Sequence, residues 1–149
     1  MKLNHLADWF DEEYDTILGL EHPENSEEGD IPNYPKTDEI EPIDWRVGQA
    51  VTAVRDRSKW ISPVTGVKMY CASSYAVVTA EVLEGYYLKT NGKLVPLSVQ
   101  QISDCSSNEA IMSKTGTGMW NYGCSGGYLE NAFNYATEYV VFDEATYKY

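Results

Sequence analysis

Leu3, Leu6, Phe10, Tyr14, Ile17 and Leu18 recur at spacings of three and four, with Asp8, Asp11, Glu12 and Glu13 set mostly on the other side. That period predicts an amphipathic helix over residues 2–20, with Gly19 as its stop signal. From Glu21 to Glu41 the pattern vanishes. Pro23, Pro32 and Pro35 stand among many acids with almost no aliphatic residues, the composition of an extended, solvated linker. At Pro42 the chain becomes globular in character. Ala50-Val51-Thr52-Ala53-Val54 reads as a short strand. A helix is expected to begin at Ser73 or Ser74, because serine caps helix starts well and Ala76, Val77, Ala80, Leu83 and Tyr87 then share one stripe. Asn91-Gly92 ends it. Ser98 and Gln101 form a capping box for a second, short helix. Gly126-Gly127 precedes a third, in which Leu129, Ala132, Phe133, Ala136 and Val140 fall on one face. No segment repeats another.

At 149 residues the chain has room for one modest domain, and a hydrophobic share of 43% is enough for a core. The net charge of -12 argues against nucleic acid and anionic membrane as partners, since both reward Lys and Arg. No apolar run is long enough to span a membrane. The opening Met1-Lys2-Leu3-Asn4-His5, with Asp8 close behind, does not have the form of a secretory leader. An intracellular site, cytoplasmic or organelle-associated, is therefore expected, with the lysosome or secretion as the alternative for a processed fragment. Three cysteines are an odd number: a secreted chain would leave one thiol unpaired, whereas a cytosolic one would keep all three reduced. They are widely spaced and no histidine accompanies them, so neither a metal site nor any cofactor is expected.

The chemistry-bearing segments are Cys71-Ala72-Ser73-Ser74-Tyr75-Ala76, Leu97-Ser98-Val99-Gln100-Gln101-Ile102-Ser103-Asp104-Cys105 and Tyr122-Gly123-Cys124-Ser125-Gly126-Gly127-Tyr128. Together with Pro42-Ile43-Asp44-Trp45-Arg46 and Ala50 to Arg55, they resemble, in order, the papain-like cysteine peptidases. Asn4-His5-Leu6-Ala7-Asp8 and Glu12-Glu13-Tyr14 are similar to the late part of that family's inhibitory propeptide, and Ala145-Thr146-Tyr147-Lys148-Tyr149 to its Tyr-Pro-Tyr segment. The resemblance implies a mainly α fold, the family's left-hand (L) domain. A propeptide-like helix (1–20) and an acidic linker (21–41) lead into it, and the domain itself occupies residues 42–149. The β-rich right-hand (R) domain, which supplies the family's catalytic His and Asn, has no counterpart in the sequence.

Residue by residue, Ser74 stands where the resemblance places the nucleophilic cysteine, and Arg57 where it places the oxyanion glutamine. Ser73, Tyr75, Gly126, Gly127 and Tyr128 match positions lining the substrate cleft, although for Gly126-Gly127 a tight turn before a helix is the favoured reading. Cys71 and Cys124 match a family disulfide. Cys105 matches a cysteine whose partner would lie past Tyr149, which leaves it a free thiol. A thiolate is stabilised by a helix start and a neighbouring imidazolium, whereas a serine hydroxyl needs a positioned base. The two histidines, His5 and His22, both precede Pro42. Lys59 and Lys68, in an insertion at 58–68, are the alternative bases for a serine–lysine pair, and a second insertion at 106–120 carries no legible chemistry. Losing one oxyanion donor alone costs ~10²–10³ in rate. The expected role is a degenerate, non-catalytic subunit whose R-facing surface is covered by other protein chains. Half of a split peptidase borrowing a histidine, or a propeptide-like inhibitor of active relatives, are the alternatives.

Overall fold

Two serines mark where irregular chain turns into the longest of the described helices. The computed structural model describes residues 10–12, 42–56, 64, 66, 70–107 and 120–149. In them α1 runs Ser74–Asn91, α2 Val99–Cys105 and α3 Leu129–Glu138, with a 3-10 turn at Gly123–Ser125. Each helix packs on the other two. Among the described residues there is no sheet, only an isolated antiparallel bridge between Leu97 and Asp143, so the expected mainly α class holds. None of these helices is long and apolar enough to cross a membrane. Of the expected helix over 2–20 and the linker over 21–41, all but residues 10–12 lie outside the described residues.

The core is built where the three helices meet. Tyr75, Ala76 and Ala80 of α1, Val99 and Ile102 of α2, and Ala132 of α3 are all buried, with Leu97, Leu129 and Val141 packed at the edge. Ala76 and Ala80 on α1 and Ala132 on α3 are the small residues at this meeting point. The apolar stripe expected on α1 is only half right. Its buried face is Tyr75, Ala76, Thr79, Ala80 and Glu84, while Tyr87 is exposed. On α3 the buried positions are Asn131, Ala132 and Tyr135, and Val140 lies beyond the helix end in solvent. Of these buried polar side chains Glu84 is fully paired while the Thr79 hydroxyl makes no hydrogen bond, and a hydrophobic pattern registers neither.

The helix ends show the same trade. Gly92 takes the left-handed conformation (φ +70°) and donates to the Leu88 carbonyl at 2.8 Å, the stop that Asn91-Gly92 predicted. Ser73 is the N-cap by position, but its hydroxyl makes no cap bond. It shares a 3.0 Å hydrogen bond with the Tyr149 hydroxyl instead. Ser98 does cap α2, accepting from the Gln101 amide at 2.9 Å. The return half of the capping box is missing, because the Gln101 side chain is used elsewhere. Its Nε2 donates to the Tyr135 hydroxyl (2.8 Å) and the Val140 carbonyl (2.9 Å), and its Oε1 accepts from the Phe142 amide (2.8 Å). Gln101 thus ties α2, α3 and the segment after α3 together. The Ser98 amide bonds the Phe142 carbonyl and the Ser98 hydroxyl donates to the Tyr147 carbonyl at 2.6 Å, so the last ten residues are laced back onto the start of α2.

Residues 50–54 are not a strand. They run irregularly, with Val54 100% exposed and no ladder partner among the described residues. What fixes this segment is a charge in the core. Glu84, 2% exposed, accepts from the Thr52 hydroxyl at 2.8 Å and from Arg55 Nη2 at 2.5 Å, while its Oε1 also takes the Leu97 amide at 2.7 Å. Arg55 Nη2 reaches on to the Leu97 carbonyl at 3.3 Å. Burial works against the Arg55 charge, but the bonds and field of Glu84, with Glu144 and Glu81 behind, outweigh it and hold the guanidinium above its ordinary value. Breaking one member of a buried pair leaves the other uncompensated, a loss of about 3–5 kcal/mol. Glu84→Ala is therefore expected to lose about that much in urea denaturation, and the Arg55→Met/Glu84→Leu double variant to recover most of it. A Glu84→Ala chain as stable as the parent would show that the cluster carries no such role.

Candidate active-site region

Ser74 is the first residue of the 18-residue α1 and is half-buried. Ahead of it, the Ser73 carbonyl accepts from the amides of Ala76 (3.0 Å) and Val77 (3.1 Å), and the first turn of α1 holds no acidic side chain. The positive end of the helix dipole therefore acts on this position undiminished. That field suffices to help a thiol ionise, because its proton is already loosely held. A serine hydroxyl is far less acidic, and a helix terminus worth roughly 1 kcal/mol does not bring it near ionisation. It needs a base, and residues 42–149 contain no histidine. Arg57, Lys59 and Lys68, the expected oxyanion position and alternative bases, lie outside the described residues.

The loop facing the start of α1 is held by three kinds of bond. Cys71 and Cys124 form a disulfide across 53 positions of sequence, joining the two segments the resemblance had paired, and Cys105 is a free, half-buried thiol. Closing a loop of that length is worth ~4 kcal/mol in chain entropy. Beside the bridge, the Ala72 amide donates to the Cys124 carbonyl at 3.0 Å, and the buried Tyr75 hydroxyl donates to the Gly123 carbonyl at 3.1 Å. Burial pushes the Tyr75 phenol up to about 12, so it stays a neutral donor well beyond the range where a free tyrosine ionises.

The two glycines have separate reasons. Gly126 sits at φ +105°, a backbone that side chains other than hydrogen disfavour, and its carbonyl takes the Tyr122 amide at 2.9 Å. Gly127 is wedged against its neighbours. A Cβ there would fall 2.5 Å from Asn121 Oδ1 and 3.0 Å from the Tyr75 ring. Asn121, itself buried, accepts from the Tyr128 amide at 2.6 Å and donates to the Ser106 hydroxyl at 2.8 Å, so it connects the end of α2 to the start of α3. Of the cleft-like positions, Ser73, Tyr75, Gly126 and Gly127 are buried and Tyr128 half-buried. The structure thus brings Ser73, Tyr75, Cys71, Cys124, Gly126, Gly127 and Tyr128 together around the start of α1.

Three residues that organise this region escaped the sequence reading: Glu84, Arg55 and Asn121. Glu84 left a signal, since it continues the four-residue spacing of Ala76 and Ala80 into the buried face. Arg55, 29 positions away from it, and Asn121, 15 from Ser106, left none.

Comparison with known proteins places the chain. Residues 40–149 match the family model described as papain family cysteine protease, and the chain belongs to that family. It is 34% identical over 108 residues to a cathepsin L-like proteinase of Fasciola hepatica, covering 72% of this chain and 26% of that one. It is 33% identical over 159 residues to cysteine proteinase 2 of Dictyostelium discoideum, covering 99% and 35%. Among solved structures, digestive procathepsin L 3 of the Tenebrio molitor larval midgut superposes with a TM-score of 0.64 at 27% identity, covering 99% of this chain and 41% of that one. The chain spans well under half the length of the relatives it matches.

If Gly127 is a packing residue, Gly127→Ala should cost about 1–3 kcal/mol, read from thermal or urea unfolding. Equal stability would show that Asn121 and Tyr75 yield freely, and would remove the packing reading.

Proposed function

We propose that this chain is a non-catalytic member of the papain family that serves as a structural or accessory subunit of a larger protein assembly. The observation that carries the reading is the serine at the start of α1. Ser74 occupies the nucleophile position with a hydroxyl that this helix terminus does not activate, and residues 42–149 offer no imidazole to take its proton. The scaffold around it is bonded throughout by groups other than the Ser74 hydroxyl, as expected of a fold kept for its shape.

The surface supports a partner. Ile43, Trp45, Val47, Val51 and Val54 are each exposed within twelve residues of sequence. Apolar surface gathered in this way marks protein contact more often than it marks a free surface. Such contact suits another polypeptide rather than nucleic acid, given the charge of -12. The Cys71–Cys124 bridge favours an oxidising compartment, so of the two expected locations the lysosomal or secreted one is preferred to the cytoplasm.

The test is reactivity of the native material toward serine- and thiol-directed activity probes, with labelled peptides identified by mass spectrometry. No label is expected at Ser74, and Ser74→Cys is expected to leave peptide hydrolysis at background. Label at Ser74 would replace this reading with a split peptidase that draws its base from another segment or chain.

A further inference from the structure

The end of α1 carries the chain's one Asn-Gly pair, Asn91-Gly92. The helix stop is what creates it. Gly92 takes φ +70° with nothing within 4 Å of where a Cβ would stand, so conformation and not crowding selects the glycine. The same choice removes the side chain that otherwise shields a backbone nitrogen from the asparagine before it. Once the Gly92 nitrogen gives up its proton, it can attack Asn91 Cγ. A new C–N bond forms, the bond from Cγ to Nδ2 breaks, and ammonia leaves a cyclic succinimide. Water then opens the ring at either carbonyl. One opening gives aspartate, and the other gives isoaspartate, in which the main chain runs through the former side chain. The reaction consumes only water.

In the folded chain both reacting groups are occupied. The Gly92 amide donates to the Leu88 carbonyl at 2.8 Å. Asn91 Nδ2 donates to the Tyr87 carbonyl (3.2 Å) and the Thr90 hydroxyl (2.8 Å), which turns the side-chain amide back along the helix. These bonds belong to the last turn of a helix, a part that opens at low cost. We propose that Asn91-Gly92 is a latent succinimide site, held closed by the last turn of α1 and converted when that turn opens. Its conversion to isoaspartate reaches the buried charge cluster. Residues 92–96 connect α1 to Leu97, whose amide donates to Glu84 Oε1 at 2.7 Å and whose carbonyl accepts from Arg55 Nη2 at 3.3 Å. In the same connection the Pro96 carbonyl accepts from the Glu144 amide at 2.9 Å. Isoaspartate adds a methylene to the main chain at the head of this tether and moves the Gly92 amide off the Leu88 carbonyl. Aspartate leaves the main chain as it was. It adds a carboxylate at the helix end that the dipole disfavours, with Lys89 in the same turn as a counter-charge. The two products therefore act differently, one on the length of the tether and the other on charge alone. Neither step runs backward to the amide, so the site records how often the end of α1 has been open.

The experiment holds the native chain at mildly alkaline pH in graded urea. Peptide mass spectrometry follows the replacement of the Asn91 amide and separates the two products, while hydrogen exchange follows the Gly92 amide. Conversion is expected to be slower in the folded than in the urea-unfolded chain by roughly tenfold or more, and urea should speed conversion and Gly92 exchange by the same factor. Equal rates in the folded and unfolded chain, or conversion while the Gly92 amide stays protected, overturns the proposal. The isolated isoaspartate form is expected to lose exchange protection at the Leu97 amide and to unfold at lower urea than the parent. The Asn91→Asp variant has the same charge without the extra methylene and is expected to keep Leu97 protected. Leu97 protection that survives in the isoaspartate form, or that is lost equally in Asn91→Asp, overturns the link between this tether and Glu84.

Discussion

A carboxylate taken out of water has to be answered on every side, and Glu84 sets that requirement for this fold. Its partners come from three places in the sequence: Thr52 and Arg55 from the irregular segment before α1, and the Leu97 amide from the turn before α2. Arg55 then reaches Glu144, after α3. One buried charge thereby fixes segments that share no secondary structure with each other. It also holds residues 50–54 away from a strand: Thr52 in the middle of the run and Arg55 just after it are both bound to Glu84. A buried ion pair contributes little net stability compared with a well-packed apolar pair, so its value here lies in register. It specifies which loop sits against which helix.

Around the start of α1 the restraints are of a different kind. The disulfide, the Tyr75–Gly123 bond and the wedge of Gly127 between Asn121 and Tyr75 bring the 121–128 loop to a fixed place beside Ser74. None of these restraints passes through the Ser74 hydroxyl. The scaffold around the start of α1 therefore does not depend on the side chain at position 74, because its shape is carried by other atoms. That separation is the physical support for the non-catalytic reading.

Much of this was legible in the residues. The α1 stop at Gly92, the Ser98 cap and the pairing of Cys71 with Cys124 each follow from a local signal or an ordered motif. What escaped was polar and long-range. A hydrophobic pattern assigns Val140 and Tyr87 to helix faces because it counts only apolar residues, whereas Asn131, Thr79 and Glu84 hold the buried positions. Likewise, Ser73 was legible as a cap by position and Gln101 as the other half of a box, yet both side chains go to tertiary partners, Tyr149 in one case and Tyr135, Val140 and Phe142 in the other. Hydrogen bonds across 34 to 76 positions leave no periodic trace in a sequence.

The account stands or falls on whether the hydroxyl at the nucleophile position has any use. The most direct measurement is to replace Ser74 by Ala in the source organism and compare the recovered native assembly with the parental one, in mass, abundance and biological effect. If the fold has been kept for its surface, the substituted chain should assemble and function like the parent. An assembly that forms normally but loses its function with that single oxygen would contradict the account, because it would mean that Ser74 still performs chemistry.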